Sequence, residues 1–66
     1  MEIVVNGEKR TVGDGATVLS LLSELALSER RVAVERNRAI VRKADFAGTP
    51  LREGDAIEIV TFVGGG

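Results

Sequence analysis

Residues 1–12 read M-E-I-V-V-N-G-E-K-R-T-V, two β-rich runs separated by Asn6-Gly7. A two-residue hairpin turn of type I′ needs positive φ at both central positions, and Asn-Gly is a pair that accepts this with little strain. The spacing therefore predicts a β-hairpin at the start of the fold. Within its first strand, a period of two puts Met1, Ile3 and Val5 on the core face and Glu2, Val4 and Asn6 on the other. Val4 is then an apolar residue facing outward.

The segments that follow must cover the core face of this hairpin. G-D-G-A at 13–16 reads as a loop, because the further oxygen ligands that would make Asp14 part of a calcium loop are missing. Thr17 can cap a helix in which Val18, Leu19, Leu22, Leu25 and Ala26 form one apolar stripe, with Ser20, Ser23 and Glu24 on the wet side. V-A-V-E at 32–35 is a short strand, Asn37 marks a turn, and A-I-V at 39–41 is a second short strand. Residues 42–55 look irregular, with an extended or turn conformation at Thr49-Pro50 and a turn at Glu53-Gly54-Asp55. The last strand, A-I-E-I-V-T-F-V at 56–63, turns Ile57, Ile59 and Thr61 to the core and leaves Glu58, Val60 and Phe62 on the opposite face.

Hairpin, helix, two short strands, irregular segment and final strand together predict an α+β domain. The economical arrangement is a mixed four- to five-stranded sheet with one main helix across one face, the last strand lying centrally, beside the first and parallel to it. This is the β-grasp, or ubiquitin-like, arrangement. We expect one domain over residues 1–63 and a flexible Gly-Gly-Gly tail over 64–66.

A chain of 66 residues buries only roughly 60% of its unfolded surface. Its sole aromatic residues are Phe46 and Phe62, so Ile, Val, Leu and Ala must fill the interior. Without cysteine there is no disulfide, no thiolate nucleophile and no soft metal ligand, and histidine, the usual general base, is missing as well. The ten acidic residues form no spacing suited to a glycosidase pair or a metal site. We therefore expect no enzyme, no bound cofactor and no metal. No apolar run approaches the ~20 residues of a membrane span, and the expected location is the cytoplasm.

The formal net charge is −1, yet Arg30, Arg31, Arg36, Arg38, Arg42 and Lys43 are six of the nine basic residues. A solvated face is the default reading of such a run, and a docking surface for an acidic partner or a phosphate backbone is the sharper one. No aromatic residue interleaves the stretch to stack on bases, so nucleic acid is not the expected partner.

One reactive group remains, the carboxyl of Gly66. A carboxylate resists nucleophiles until its oxygen becomes a leaving group, and adenylation by ATP is the standard cellular means. Gly64, Gly65 and Gly66, lacking Cβ, make a thin strand able to enter a narrow channel in another protein.

The segments R-V-A-V-E-R-N at 31–37 and E-G-D-A-I-E-I-V-T-F-V-G-G-G at 53–66, with the opening Asn-Gly hairpin, resemble the ThiS family of thiamin-pathway sulfur carriers, bacterial relatives of ubiquitin. The resemblance covers the whole chain. It implies that an E1-like adenylyltransferase of the ThiF type, using ATP and Mg, converts the Gly66 carboxyl to an acyl adenylate. Sulfur from a donor such as a cysteine desulfurase then displaces AMP, and the resulting thiocarboxylate supplies a thiazole synthase of the ThiG type. Gly65 completes the diglycine that both enzymes accept, and Gly64 extends its reach. The sequence departs from the family pattern where a Gly-Glu turn and a following Pro are expected, having Arg38-Ala39 and Arg42 instead.

The same tail chemistry serves sulfur carriers for molybdopterin, cysteine or tRNA thiolation, and a protein modifier whose carboxyl passes to a lysine. A β-grasp module binding RNA or protein is the reading in which the tail is irrelevant. For a carrier whose tail visits two enzymes, complexes should be transient and the free protein monomeric. Val4, Ala33, Val60 and Phe62 occupy positions where alternation expects polar residues, and they are the expected partner-binding surface.

Overall fold

The computed structural model describes residues 1–62. Val63, Gly64, Gly65 and Gly66 lie outside the described residues, and with them the expected domain boundary and tail. The elements run β1 (Glu2–Val5), β2 (Glu8–Thr11), α1 (Val18–Glu24), a 3₁₀ turn (Glu29–Arg31), β3 (Val32–Arg36), β4 (Ala39–Val41), a second 3₁₀ turn (Lys43–Asp45) and β5 (Ala56–Thr61). The strands form one five-stranded sheet in the order β2-β1-β5-β3-β4. β5 is central, parallel to β1 and antiparallel to β3, as the β-grasp reading expects.

Both hairpins close through left-handed residue pairs. Asn6 and Gly7 have φ of 49° and 84°, the pattern of a type I′ turn. The β3–β4 turn repeats it with Asn37 at 50° and Arg38 at 70°. The departure from the family pattern at Arg38 thus leaves a tight turn in place, with arginine in a conformation that glycine adopts without strain.

The helix is held at both ends by groups distant in sequence or unusual in type. Its first three amides all find acceptors: Val18 N–H donates to the Thr49 carbonyl at 3.0 Å, Leu19 N–H to the Phe46 carbonyl at 3.0 Å, and Ser20 N–H to Thr17 Oγ1 at 3.1 Å. Ser20 Oγ returns the contact by accepting from Thr17 N–H at 2.8 Å, completing a capping box. At the other end Leu27 N–H donates to the Leu22 carbonyl (2.9 Å) and Ala26 N–H to the Ser23 carbonyl (3.0 Å), the Schellman pattern, with Ala26 left-handed at φ 58°.

These ends correct the expected apolar stripe. Ala26 is exposed beyond the helix, whereas Leu21, left out of the stripe, is completely buried with Val18 and Leu22. A helix of only seven residues presents its inner face through an i, i+3, i+4 triad, and Leu19 and Leu25 flank it half-buried. Because glycine takes positive φ without a Cβ penalty, Ala26→Gly should raise stability by about 0.5–1 kcal/mol, read as an increased urea midpoint at constant slope.

The stretch 42–55 is less irregular than its composition suggests. It carries the second 3₁₀ turn, pairs Pro50 with Thr17 in an isolated bridge, and sends Phe46 and Leu51 into the core with Ile3, Leu21, Leu22, Val34 and Ile57. Thr61 is a second correction: it lies on the side of Ile57 and Ile59 but is exposed. The helix ends at Glu24, and an open groove of about 430 Å³, lined in part by Val5, Leu25, Leu27 and Ile59, runs up to Thr61.

Candidate docking face and the anchoring of the last strand

β5 leads towards the glycines, and the sheet fixes it from both sides. Two asparagines from the hairpin turns extend the ladders with their side chains. Asn6 Nδ2 donates to the Ile59 carbonyl at 3.1 Å and its Oδ1 accepts from Ile59 N–H at 2.8 Å, mimicking a backbone pair where β1 has ended. On the other flank, Asn37 Oδ1 accepts from Ala56 N–H at 2.9 Å while Asn37 N–H donates to the Ala56 carbonyl at 2.7 Å. Left-handed backbone at each asparagine aims its short amide back at the neighbouring strand.

Asp55, expected only as part of a turn, is the buried charged residue of the core, 6% exposed. Its carboxylate accepts from Arg36 Nε at 2.9 Å, Asn37 Nδ2 at 3.0 Å and the Arg52 N–H at 2.8 Å. Burial by itself pushes this carboxyl up, but the hydrogen bonds from Asn37, Arg52 and Arg36, with the Arg36 charge, outweigh it and hold the group below its ordinary value. Arg36, counted in the basic run, is thereby a structural partner at the start of β5.

The face of the sheet away from the helix carries the expected partner-binding residues. Ala33 and Val60 are directly opposite each other in the β3–β5 register. Phe62 continues that ladder through its N–H to the Arg31 carbonyl at 2.7 Å, and the period of two carries it to the same side. Val60 and Phe62 are 58% and 59% exposed. Val4 is not brought to them: it stands half-buried opposite Ala56, four residues or about 13 Å along β5 from Val60. The outer face instead gains Ile40, 78% exposed on β4, which alternation alone did not single out in so short a strand. Between these groups, Glu35 and Glu58 face each other across β3 and β5. Gly64, Gly65 and Gly66, the expected reactive tail, lie outside the described residues.

Among the described residues no group of three His, Cys, Asp or Glu side chains is placed to hold a metal ion, and no helix is long and apolar enough to cross a membrane.

Comparison with known proteins agrees with this architecture. The family model described as the ThiS family matches residues 1–66. The chain belongs to the ThiS family. A ThiS relative, the sulfur carrier protein ThiS of Bacillus subtilis, is 43% identical over 53 residues, covering 80% of each chain. The crystal structure of the ThiS thiamine biosynthesis protein from Geobacter metallireducens superposes with a TM-score of 0.84 at 36% identity, covering 100% of both chains. A longer protein of Paramagnetospirillum magneticum, a thiazole synthase, is 48% identical over 66 residues, which are 100% of this chain. The chain spans 20% of that relative's length.

Proposed function

We propose that this chain is the sulfur carrier of thiamin biosynthesis, a protein co-substrate with no catalysis of its own. The observation that carries the reading is the ThiS-family match across the whole chain, joined to a fold whose central strand, β5, is the last strand described and precedes Gly64-Gly65-Gly66 in the sequence. In this reading a ThiF-type adenylyltransferase binds ATP and Mg. The Gly66 carboxylate oxygen attacks the α-phosphorus, pyrophosphate leaves, and the acyl adenylate forms. A persulfide charged by a donor such as a cysteine desulfurase then attacks the acyl carbon and expels AMP, and a thiol of the partner enzymes, since this chain has no cysteine, cleaves the resulting acyl disulfide, forming a disulfide with the donor sulfur and releasing the thiocarboxylate. The thiocarboxylate passes its sulfur to a thiazole synthase. The likeness to a longer thiazole synthase supports that acceptor over molybdopterin, cysteine or tRNA thiolation pathways. Free protein acts in the cytoplasm as a monomer, since its tail must visit several enzymes in turn.

Mass spectrometry of the intact protein from cells tests the reading. An oxygen-to-sulfur mass increase confined to the last residues is the expected result; conjugates to other proteins would mark a modifier, and an unmodified terminus a plain binding module.

Docking in this reading uses the Ala33, Val60 and Phe62 surface. Phe62→Ser should weaken association with the adenylyltransferase by roughly 10- to 100-fold, the range of a well-buried aromatic anchor. Because Phe62 is exposed, the melting temperature should move by only a few degrees. Unchanged affinity by titration calorimetry would exclude this surface.

A further inference from the structure

The basic stretch at 30–43 is not absorbed by the sulfur-carrier reading. Of its six cations only Arg36 has an ion-pair partner among the described residues. Arg38, Ile40 and Arg42 follow one another at a spacing of two along β4 and its two ends, all three exposed. β4 is the last strand of the sheet, so among the described residues no strand covers its outer side. The closing pair of a two-residue hairpin, here Arg36 and Ala39, is the hydrogen-bonded kind. Antiparallel alternation then turns the N–H and C=O of the next residue, Ile40, away from β3 and out of the sheet.

Three observations bear on what such an edge would take. Arg38 keeps a guanidinium at φ 70°, where glycine would be unstrained. Ile40 is the most exposed large apolar residue described. The carboxylate of Glu35 lies directly across from Ile40, with Glu58 beyond it in the next strand. Those carboxylates favour an uncharged side chain over Ile40 itself; a phosphate backbone has no apolar group to lay there, and no aromatic residue stands on this edge to stack on bases.

We propose that the β4 edge is a docking site for an extended acidic segment of a partner protein. The segment adds beside β4 as a sixth strand, hydrogen-bonds to Ile40 N–H and C=O, lays an apolar side chain on Ile40, and sets a carboxylate two residues to either side of that side chain, one on Arg38 and one on Arg42. Strand addition of this kind draws affinity from the main chain and specificity from side chains at every second position. The site stands apart from the tail chemistry and does not depend on the sulfur-carrier reading.

The test titrates the isolated protein against a fluorescein-labelled, end-blocked aspartate peptide of sequence Thr-Asp-Thr-Val-Thr-Asp-Thr, whose Asp, Val and Asp share one face, with the same peptide carrying lysine for aspartate and oligouridylate as the comparison probes. Saturable anisotropy with the aspartate peptide alone is expected. Arg38→Gly, which relaxes the turn, and Arg42→Gln should each weaken it roughly tenfold while the fold is retained by circular dichroism. Amide exchange at Ile40 should slow on binding. The proposal fails if the aspartate peptide does not bind, if both variants bind it as the native protein does, if Ile40 exchange is unchanged, or if oligouridylate displaces the peptide at an equal or lower concentration. None of these failures touches the carrier reading, because no activating enzyme is present.

Discussion

An alanine appended after Gly66 should abolish ATP–pyrophosphate exchange with the cognate adenylyltransferase while leaving thermal stability unchanged. One added residue moves the terminal carboxyl by about 3.3–3.6 Å in an extended chain. Misplacement by about 1 Å at a preorganised site already costs roughly 10²-fold in rate, so the loss should exceed that by a wide margin. The extra Cβ also enters a channel suited to glycine. Sulfur transfer should disappear with exchange, since it consumes the adenylate. The fold is insulated from the change because, among the described residues, the core includes none later than Ile59. Full exchange by the extended protein, with mass spectrometry showing no trimming, would sink the carrier hypothesis.

The second large effect is expected at the opposite end of β5. Asp55→Ala removes the common acceptor of Arg36, Asn37 and the Arg52 amide, and leaves a guanidinium, a side-chain amide and a backbone amide without that partner beside the core. Arg36 remains partly solvated, so the loss should be about 2–3 kcal/mol, below that of a fully buried pair. In a domain of this size that lowers the melting temperature by on the order of 10 °C or more. Asp55→Asn separates charge from shape. The folded carboxyl titrates below its unfolded value of about 3.9, so its stabilising contribution is complete above that pH and is lost as pH falls through the folded value. The gap in melting temperature between native and Asp55→Asn proteins should therefore stay constant from neutral pH to about 5 and close below about 4. A gap that persisted in strong acid would show that the charge of Asp55 contributes nothing.

The contrast between Asn6 and Asp55 shows what was legible in the sequence. Asn6-Gly7 announces its turn because the requirement for positive φ is local, and the alternation in β1 and β5 announces which side each residue takes. From those the mixed sheet and its central last strand followed. Asp55 gives no such sign: its role arises from Arg36 and Asn37, 19 and 18 residues away. The capping of α1 by the Phe46 and Thr49 carbonyls is equally non-local, which is why 42–55 read as irregular. Ala26 and Arg38 were opaque for another reason, since neither is a residue type that signals left-handed backbone. In the candidate site, Ala33, Val60 and Phe62 were legible as misplaced apolar residues. The separation of Val4 from them was not, because it is set by the parallel register of β1 on β5.

That register also governs how the molecule bears tension. Val4 N–H to the Asp55 carbonyl (2.9 Å), Asn6 N–H to the Ile57 carbonyl (2.9 Å), the Asn6 amide pair on Ile59 and the whole β3 ladder all cross to β5 transversely. A pull along the axis of β5 therefore loads them together in shear, and no single bond at the end can be peeled first. The strand acts as a stiff handle set into the middle of the sheet: an enzyme that grips the chain beyond Thr61 can draw on it, and the grip should yield before the domain unravels.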